Sequence, residues 1–214
     1  SAVTAALRLK EEEEAKVGRA AEFRPELPAL SPGELRQLDG GRRVQRQERE
    51  GPVGWGFVVA DVAAPPDVVM DCLQAYADYP MMIPVVRHAQ IHARAEERDG
   101  TSVAHCSYTI SKFRLGISVK HTVYPGPPRG VRFDLDNSRF GSVLQECAGY
   151  WYVEPSPAGG GGSSRVWLHV EGLRTHWLLP SWLVDYAAER ALRKAFGWLR
   201  PHAEEVWRAA GPLR

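Results

Sequence analysis

One histidine stands among aliphatic neighbours in residues 116–124. Alternation along an extended segment puts Ile117, Val119, His121 and Val123 on one face. Ser118, Lys120, Thr122 and Tyr124 fall on the other. A lone imidazole on an oily face has three uses. It can be a neutral, hydrogen-bonded member of the core. It can orient the polar head of a ligand held in an apolar pocket. It can serve as an acid–base group, but no nucleophile or carboxylate stands at a useful spacing from His121. Arg132, Asp134, Asp136 and Lys120 form a second polar group. Their alternation marks a solvated sheet face laced by cross-strand ion pairs, not an acid–base centre. The three cysteines, Cys72, Cys106 and Cys147, are far apart and odd in number. That argues against a disulfide framework and for a reducing compartment. No Cys-x-x-Cys suggests zinc, and the sequence predicts no metal, no cofactor and no assigned catalytic residue.

What remains is apolar binding, and the elements around His121 must build the pocket. Residues 180–210 have the period of a long helix, with Val184, Ala188, Ala191, Leu192, Ala195, Leu199 and Val206 on one side. Ahead of it runs a series of strands, at about 85–94, 102–110, 116–124, 130–136, 142–154 and 165–173. Short Gly- and Pro-rich turns separate them, which implies an antiparallel meander. Val131, Phe133 and Leu135 share one face of their strand, and Val166, Leu168 and Val170 share one face of theirs. Trp151 and Val153 are expected inward, with Tyr150 and Tyr152 outward, although both faces of that strand are apolar. One curved sheet closed by the long helix is the simplest way to bury these faces. Trp177-Leu178-Leu179-Pro180-Ser181-Trp182-Leu183 is too apolar for an ordinary loop. It reads as plain packing, or alternatively as a gate or membrane contact.

The N-terminal third is less regular. Residues 1–24 look like a charged helix around Glu11-Glu12-Glu13-Glu14, and Arg24-Pro25-Glu26-Leu27-Pro28 reads as a stiff linker. Ser31-Pro32-Gly33-Glu34 has the form of a capping box opening a short helix that Gly40-Gly41 stops. A weak edge strand follows at 42–48 and a strong one at 55–62. Pro65-Pro66 opens a helix carrying Val68, Val69, Cys72, Leu73 and Tyr76, which Tyr79-Pro80 is expected to end.

Composition bounds the rest. The chain has 214 residues, 44% apolar and 25% charged, with a formal net charge of +1. That is an ordinary globular balance with no electrostatic case for nucleic acid. No run reaches the ~18–20 apolar residues of a membrane span, so the expectation is a soluble chain.

Several local signatures agree with a known family. Asp61-Val62-Ala63-Ala64-Pro65-Pro66-Asp67-Val68-Val69 resembles the opening strand-to-helix step of START-like (SRPBCC, helix-grip) domains. Tyr79-Pro80-Met81-Met82-Ile83-Pro84-Val85-Val86 resembles their YP-x-x-x-P-x-V turn. Gly149-Tyr150-Trp151-Tyr152-Val153-Glu154-Pro155 resembles their G-x-W-x-[FV]-x-P strand end. The branch it is most similar to is the polyketide cyclase/dehydrase and lipid transport group, which includes coenzyme Q-binding proteins. Leu30-Ser31-Pro32-Gly33-Glu34-Leu35 is similar to a helix that plant and algal plastid members carry ahead of the domain.

The resemblance implies an α+β helix-grip fold, a curved antiparallel sheet wrapped around a long C-terminal helix. It covers about residues 30–210, with 1–29 as a charged extension and linker. It implies binding and transfer of a hydrophobic, lipid-like ligand between sheet and helix, and a plastid address. A non-catalytic assembly factor is the alternative, followed by a cyclase/dehydrase-type enzyme. The expected cavity and mouth are Met82, Ile83, Ile117, Val119, His121, Phe133, Leu135, Trp151, Leu168, Trp177, Trp182 and Tyr186. A membrane surface or protein partner would engage the 177–183 loop or the N-terminal helix.

Overall fold

Ser31 caps the first helix as its sequence predicts. The structure is a computed structural model. It describes residues 23–51, 53–110, 115–127, 129–138, 144–157, 161–175, 192–194 and 196–211. Helix α1 spans Pro32–Asp39. The Glu34 amide donates to Ser31 Oγ at 3.3 Å, and the Ser31 amide donates to Glu34 Oε2 at 2.8 Å. This reciprocal pair satisfies first-turn donors that the helix leaves open. Arg46 on the next strand pairs with the same carboxylate, and the combined donors push the Glu34 pKa down to about 2.

Strands β1 (Val44–Glu50) and β2 (Val53–Val62) form an antiparallel hairpin. Helix α2 (Pro66–Gln74) then buries Val69, Met70, Cys72 and Leu73. It does not run on to Tyr79-Pro80. A 3-10 turn at Tyr76–Asp78 and a short helix α3 (Tyr79–Met82) follow it. Pro80 sits in the first turn of α3, where its missing N–H costs nothing, so it opens a short helix instead of ending α2. The break turns both Tyr76 and Tyr79 into the core.

Six strands follow: β3 (Val86–Glu96), β4 (Ser102–Ile110), β5 (Leu115–Tyr124), β6 (Arg129–Leu135), β7 (Leu144–Pro155) and β8 (Ser164–Thr175). The sheet order is β1-β2-β8-β7-β6-β5-β4-β3. The meander expected from the turn signals is therefore complete, and the N-terminal hairpin joins it beside the last strand. Register shifts between Gly54 and Gly56, Ile91 and Ala93, and Ala148 and Gly149 mark bulges, which bend a sheet.

The inner face of the sheet carries the main core. Val58, Ala60, Val123, Val131, Val153, Val166 and Leu168 meet α2 and the C-terminal helical segment. In that segment residues 192–194 are helical and α4 spans Leu199–Ala210. The expected unbroken helix is interrupted at Trp198. Pro201 is the reason, because it has no N–H to offer the carbonyl of Gly197. Leu192, Phe196, Leu199 and Ala203 are buried, but Val206 is 39% exposed, so the apolar stripe ends before it.

A second, smaller core lies on the outer face. Phe57, Val59, Tyr150, Tyr152 and Trp167 are buried there beneath Leu38, with Phe23, Leu27 and Leu30 packed against them. Tyr150 and Tyr152 do point outward, as the alternation implies, but they are covered and not surface residues. Phe23 stacks on Tyr124 at 4.6 Å and meets Tyr150 edge-on at 5.6 Å. Its ring lies where a Cβ on Gly130 would be. The Tyr150 hydroxyl donates to the Glu26 carbonyl at 3.1 Å. The Pro-rich segment ahead of α1 is thus pinned across the sheet by aromatic contacts and one hydrogen bond.

Candidate ligand-binding site

Strand pairing gathers the residues that the alternation put on inner faces. His121 lies opposite Phe133, Phe133 opposite Gly149, and Gly149 opposite Val170. On one side of that row Val119 lies opposite Leu135; on the other side Trp151 lies opposite both Val131 and Leu168. Leu168 is fully buried and His121 is 8% exposed. Ile117, Val119, Phe133, Trp151 and Val170 pack against the core yet stay half-buried, as does Leu135. The inner face therefore has a filled end, near Val123 and Val131, and an incompletely filled end, near Phe133 and Leu135. His121 sits at the boundary.

Gly149 explains why the strand-end signature begins with glycine. A Cβ there would stand 2.6 Å from Phe133 Cζ and 2.2 Å from the His169 carbonyl oxygen. Its absence lets the Phe133 ring lie across the β7 backbone at a bulge. The tryptophan two residues on stacks against Phe196 at 5.9 Å and 29°. That contact ties the sheet to the C-terminal helical segment.

His121 is held by aromatic residues from two other elements. Its ring stacks on Tyr76 at 4.3 Å and 18°, and its Nε2 lies 3.0 Å from the Tyr108 hydroxyl. Tyr108 in turn stacks on Tyr79, whose hydroxyl donates to the Leu73 carbonyl at 2.6 Å. Burial penalises charge throughout this cluster. It pushes the His121 pKa down to about 3, and it raises Tyr76, Tyr79, Tyr108 and Cys106 above their ordinary values. His121 is thus neutral at physiological pH. A base that weak does not relay protons near neutrality, but it does hydrogen-bond. Tyr76 and Tyr108 are the partners that sequence reasoning missed. Tyr76 was visible only as the last apolar position of a helix, and Tyr108 as one residue of a strand.

The expected mouth is partly in view. Met82 and Ile83 line a groove of about 450 Å³ between α3 and the C-terminal helical segment. Pro84, Val85, Trp198 and Pro201 complete its apolar wall, and Arg193, Lys194, His202 and Glu205 supply its polar rim. Met81 stands 80% exposed at its edge. Trp177, Trp182 and Tyr186, with the whole 177–183 loop, lie outside the described residues, as do residues 1–22. Among the described residues no group of His, Cys, Asp or Glu could hold a metal ion. No helix there is long and apolar enough to cross a membrane. On the outer face Arg132 bonds Glu171 at 2.8 Å and approaches Asp134 at 3.3 Å. The Glu171 partner lies on β8, whereas Asp134 is on the same strand as Arg132.

No protein-family model and no curated protein matches this sequence. Solved structures do resemble the fold. A START superfamily protein from Mycobacterium smegmatis aligns with a TM-score of 0.55 at 14% identity, over 77% of this chain and 98% of that one. A STAR-related lipid transfer protein from Xanthomonas axonopodis gives 0.57 at 14%, over 75% and 92%. The Zhui aromatase/cyclase from a Streptomyces species gives 0.54 at 16%, over 80% and 100%. At such identities the likeness is one of fold, and the fold hosts several functions.

Proposed function

From the START-like helix-grip fold, we propose that the protein binds and transfers a hydrophobic, lipid-like molecule between the inner face of its sheet and the C-terminal helical segment. The observation that carries this reading is the half-buried apolar patch of Ile117, Val119, Phe133 and Leu135 at the incompletely filled end of the inner face. Burying hydrocarbon against such a patch contributes about 25 cal/mol per Å². Leu168 would form the floor, and Met82 and Ile83 the entrance. Two of the neighbouring structures are named for the START superfamily and for lipid transfer, which supports the same reading. Trp177, Trp182 and Tyr186 are proposed as the remaining lining, and the 177–183 loop as a contact with a membrane surface. The Leu30–Leu35 signature supports a plastid address, which immunodetection in isolated plastids would check.

Native mass spectrometry of the purified chain, followed by solvent extraction, tests the binding. The expected result is a discrete bound mass, or a saturable gain of mass after incubation with a membrane extract. Val119→Trp should reduce that uptake, because the indole would occupy the patch itself. A clean apo mass that gains nothing from the extract would overturn the proposal.

A further inference from the structure

Two of the buried polar atoms at the boundary of the inner face have no hydrogen-bond partner among the described residues: His121 Nδ1 and Tyr76 Oη. They belong to one stacked pair of rings, 4.3 Å apart. The other polar atoms of the cluster are engaged, His121 Nε2 with Tyr108 and Tyr79 Oη with the Leu73 carbonyl. A buried donor or acceptor left without a partner costs its full desolvation, and native cores avoid it. Here two such atoms come from adjacent rings, one on β5 and one on the turn after α2. His121 lies where the sheet changes from filled to half-filled, with Phe133 directly opposite it.

We propose that His121 Nδ1 and Tyr76 Oη together grip the polar end of the bound molecule, and that this end is an uncharged oxygen, a carbonyl or a hydroxyl. The assignment rests on the apolar-ligand function proposed above. Either imidazole tautomer serves it. If Tyr108 donates to Nε2, then Nδ1–H and the Tyr76 hydroxyl both donate to the two lone pairs of a carbonyl. If Nε2–H donates to Tyr108, the bare Nδ1 accepts from a ligand hydroxyl whose oxygen accepts from Tyr76. A carboxylate or phosphate is excluded on the energetics of burial. The cluster carries no positive charge of its own, because His121 stays neutral there. The cation that the structure places near it, Arg94, lies over the Tyr76 ring at 5.7 Å and donates to the Gln74 carbonyl at 3.4 Å. An anion brought to this site would lose its water and meet only the Arg94 charge, held across the Tyr76 ring and already bonded to a carbonyl.

Four probes of one chain length decide the matter: a methyl ketone, a primary alcohol, a carboxylate at pH 8, and the plain alkane. Affinities come from tryptophan fluorescence titration, and side-chain 15N shifts of His121 report contact at Nδ1. The ketone and alcohol should bind about tenfold more tightly than the alkane or carboxylate, the value of one good hydrogen bond. Tyr76→Phe deletes one unpartnered oxygen and no observed hydrogen bond, so it should fold normally. It should bring the ketone affinity towards that of the alkane. The His121 15N resonances should move on saturation with ketone and stay fixed with alkane. A carboxylate that binds as tightly as the ketone would overturn the assignment while leaving the apolar-ligand function intact. So would a ketone preference unaltered in Tyr76→Phe, or a His121 resonance indifferent to the head group. Failure of all four probes to bind would overturn the apolar-ligand function, and the head-group assignment with it.

Discussion

Replacing His121 with phenylalanine should flatten the acid limb of the stability curve. In the folded chain the imidazole is 8% exposed, and burial pushes its pKa from the ordinary 6.5 down to about 3. In the unfolded chain it titrates at its ordinary value. Between those two values the unfolded state binds a proton that the folded state does not. Stability therefore falls as pH drops through this window, and the effect vanishes above 6.5. Each pH unit well inside the window is worth about 1.4 kcal/mol. From pH 7 to pH 5, allowing for curvature near the upper edge, the loss is about 2 kcal/mol. For a chain of this size that is about 4–8 °C in Tm. The surrounding groups do not share the titration. Tyr76, Tyr79, Tyr108 and Cys106 are all raised by burial, away from this window. Urea unfolding at pH 5, 6 and 7 on both proteins gives the comparison. His169, whose pKa burial also lowers, titrates alike in both and cancels. Any constant offset from the substitution cancels too. Parallel curves for the two proteins would refute the reasoning, because they would mean that folded His121 accepts a proton as readily as the unfolded one.

Other substitutions test the architecture around the site. Gly149→Ala should cost at least about 2 kcal/mol in urea unfolding, since its Cβ would meet both the His169 carbonyl and the Phe133 ring; a change under about 0.5 kcal/mol would show that the bulge relaxes freely. Phe23→Ala should cost about 2 kcal/mol through its lost aromatic contacts, and Tyr150→Phe about 1 kcal/mol through its bond to the Glu26 carbonyl. The double variant should lose less than the sum, because both changes release one segment; strict additivity would show two independent anchors.

The strands were legible because alternation is a local signal. Residues 102–110 were read to the residue, and the inner positions of β5, β6 and β8 followed from period two alone. The fold class followed from their order and from the three family-like signatures, which the structural neighbours support. The partners of His121 were not legible. Tyr76 comes from a 3-10 turn 45 positions earlier and Tyr108 from the preceding strand, and register decides that they meet. The outer core was half legible. Phe57, Val59, Tyr150, Tyr152 and Trp167 are apolar at outward positions, which signals a cover. The cover itself is a Pro-rich segment with no periodicity to betray it. Pro201 was in plain sight inside the helical pattern, and it breaks the helix at Trp198 by a rule that the sequence alone supports.

The strand order also sets a schedule for synthesis. β2 pairs with β8, and the Asp61–Arg165 bond that joins them spans 104 positions. At ribosomal speeds of about 5–20 residues per second, β2 waits roughly 5–20 s for its partner. During that interval Val58, Val59 and Val62, each 0% exposed in the finished sheet, have the β1 hairpin and α2 near them but not β8. The strands β3 to β8 can meanwhile assemble by successive local hairpins, each pairing with the one just made. The nascent chain thus carries the open edge of β2 until β8 emerges. Slower translation lengthens that exposure, so yield in a host should depend on elongation rate and on holdase chaperones before it depends on the stability of the folded protein.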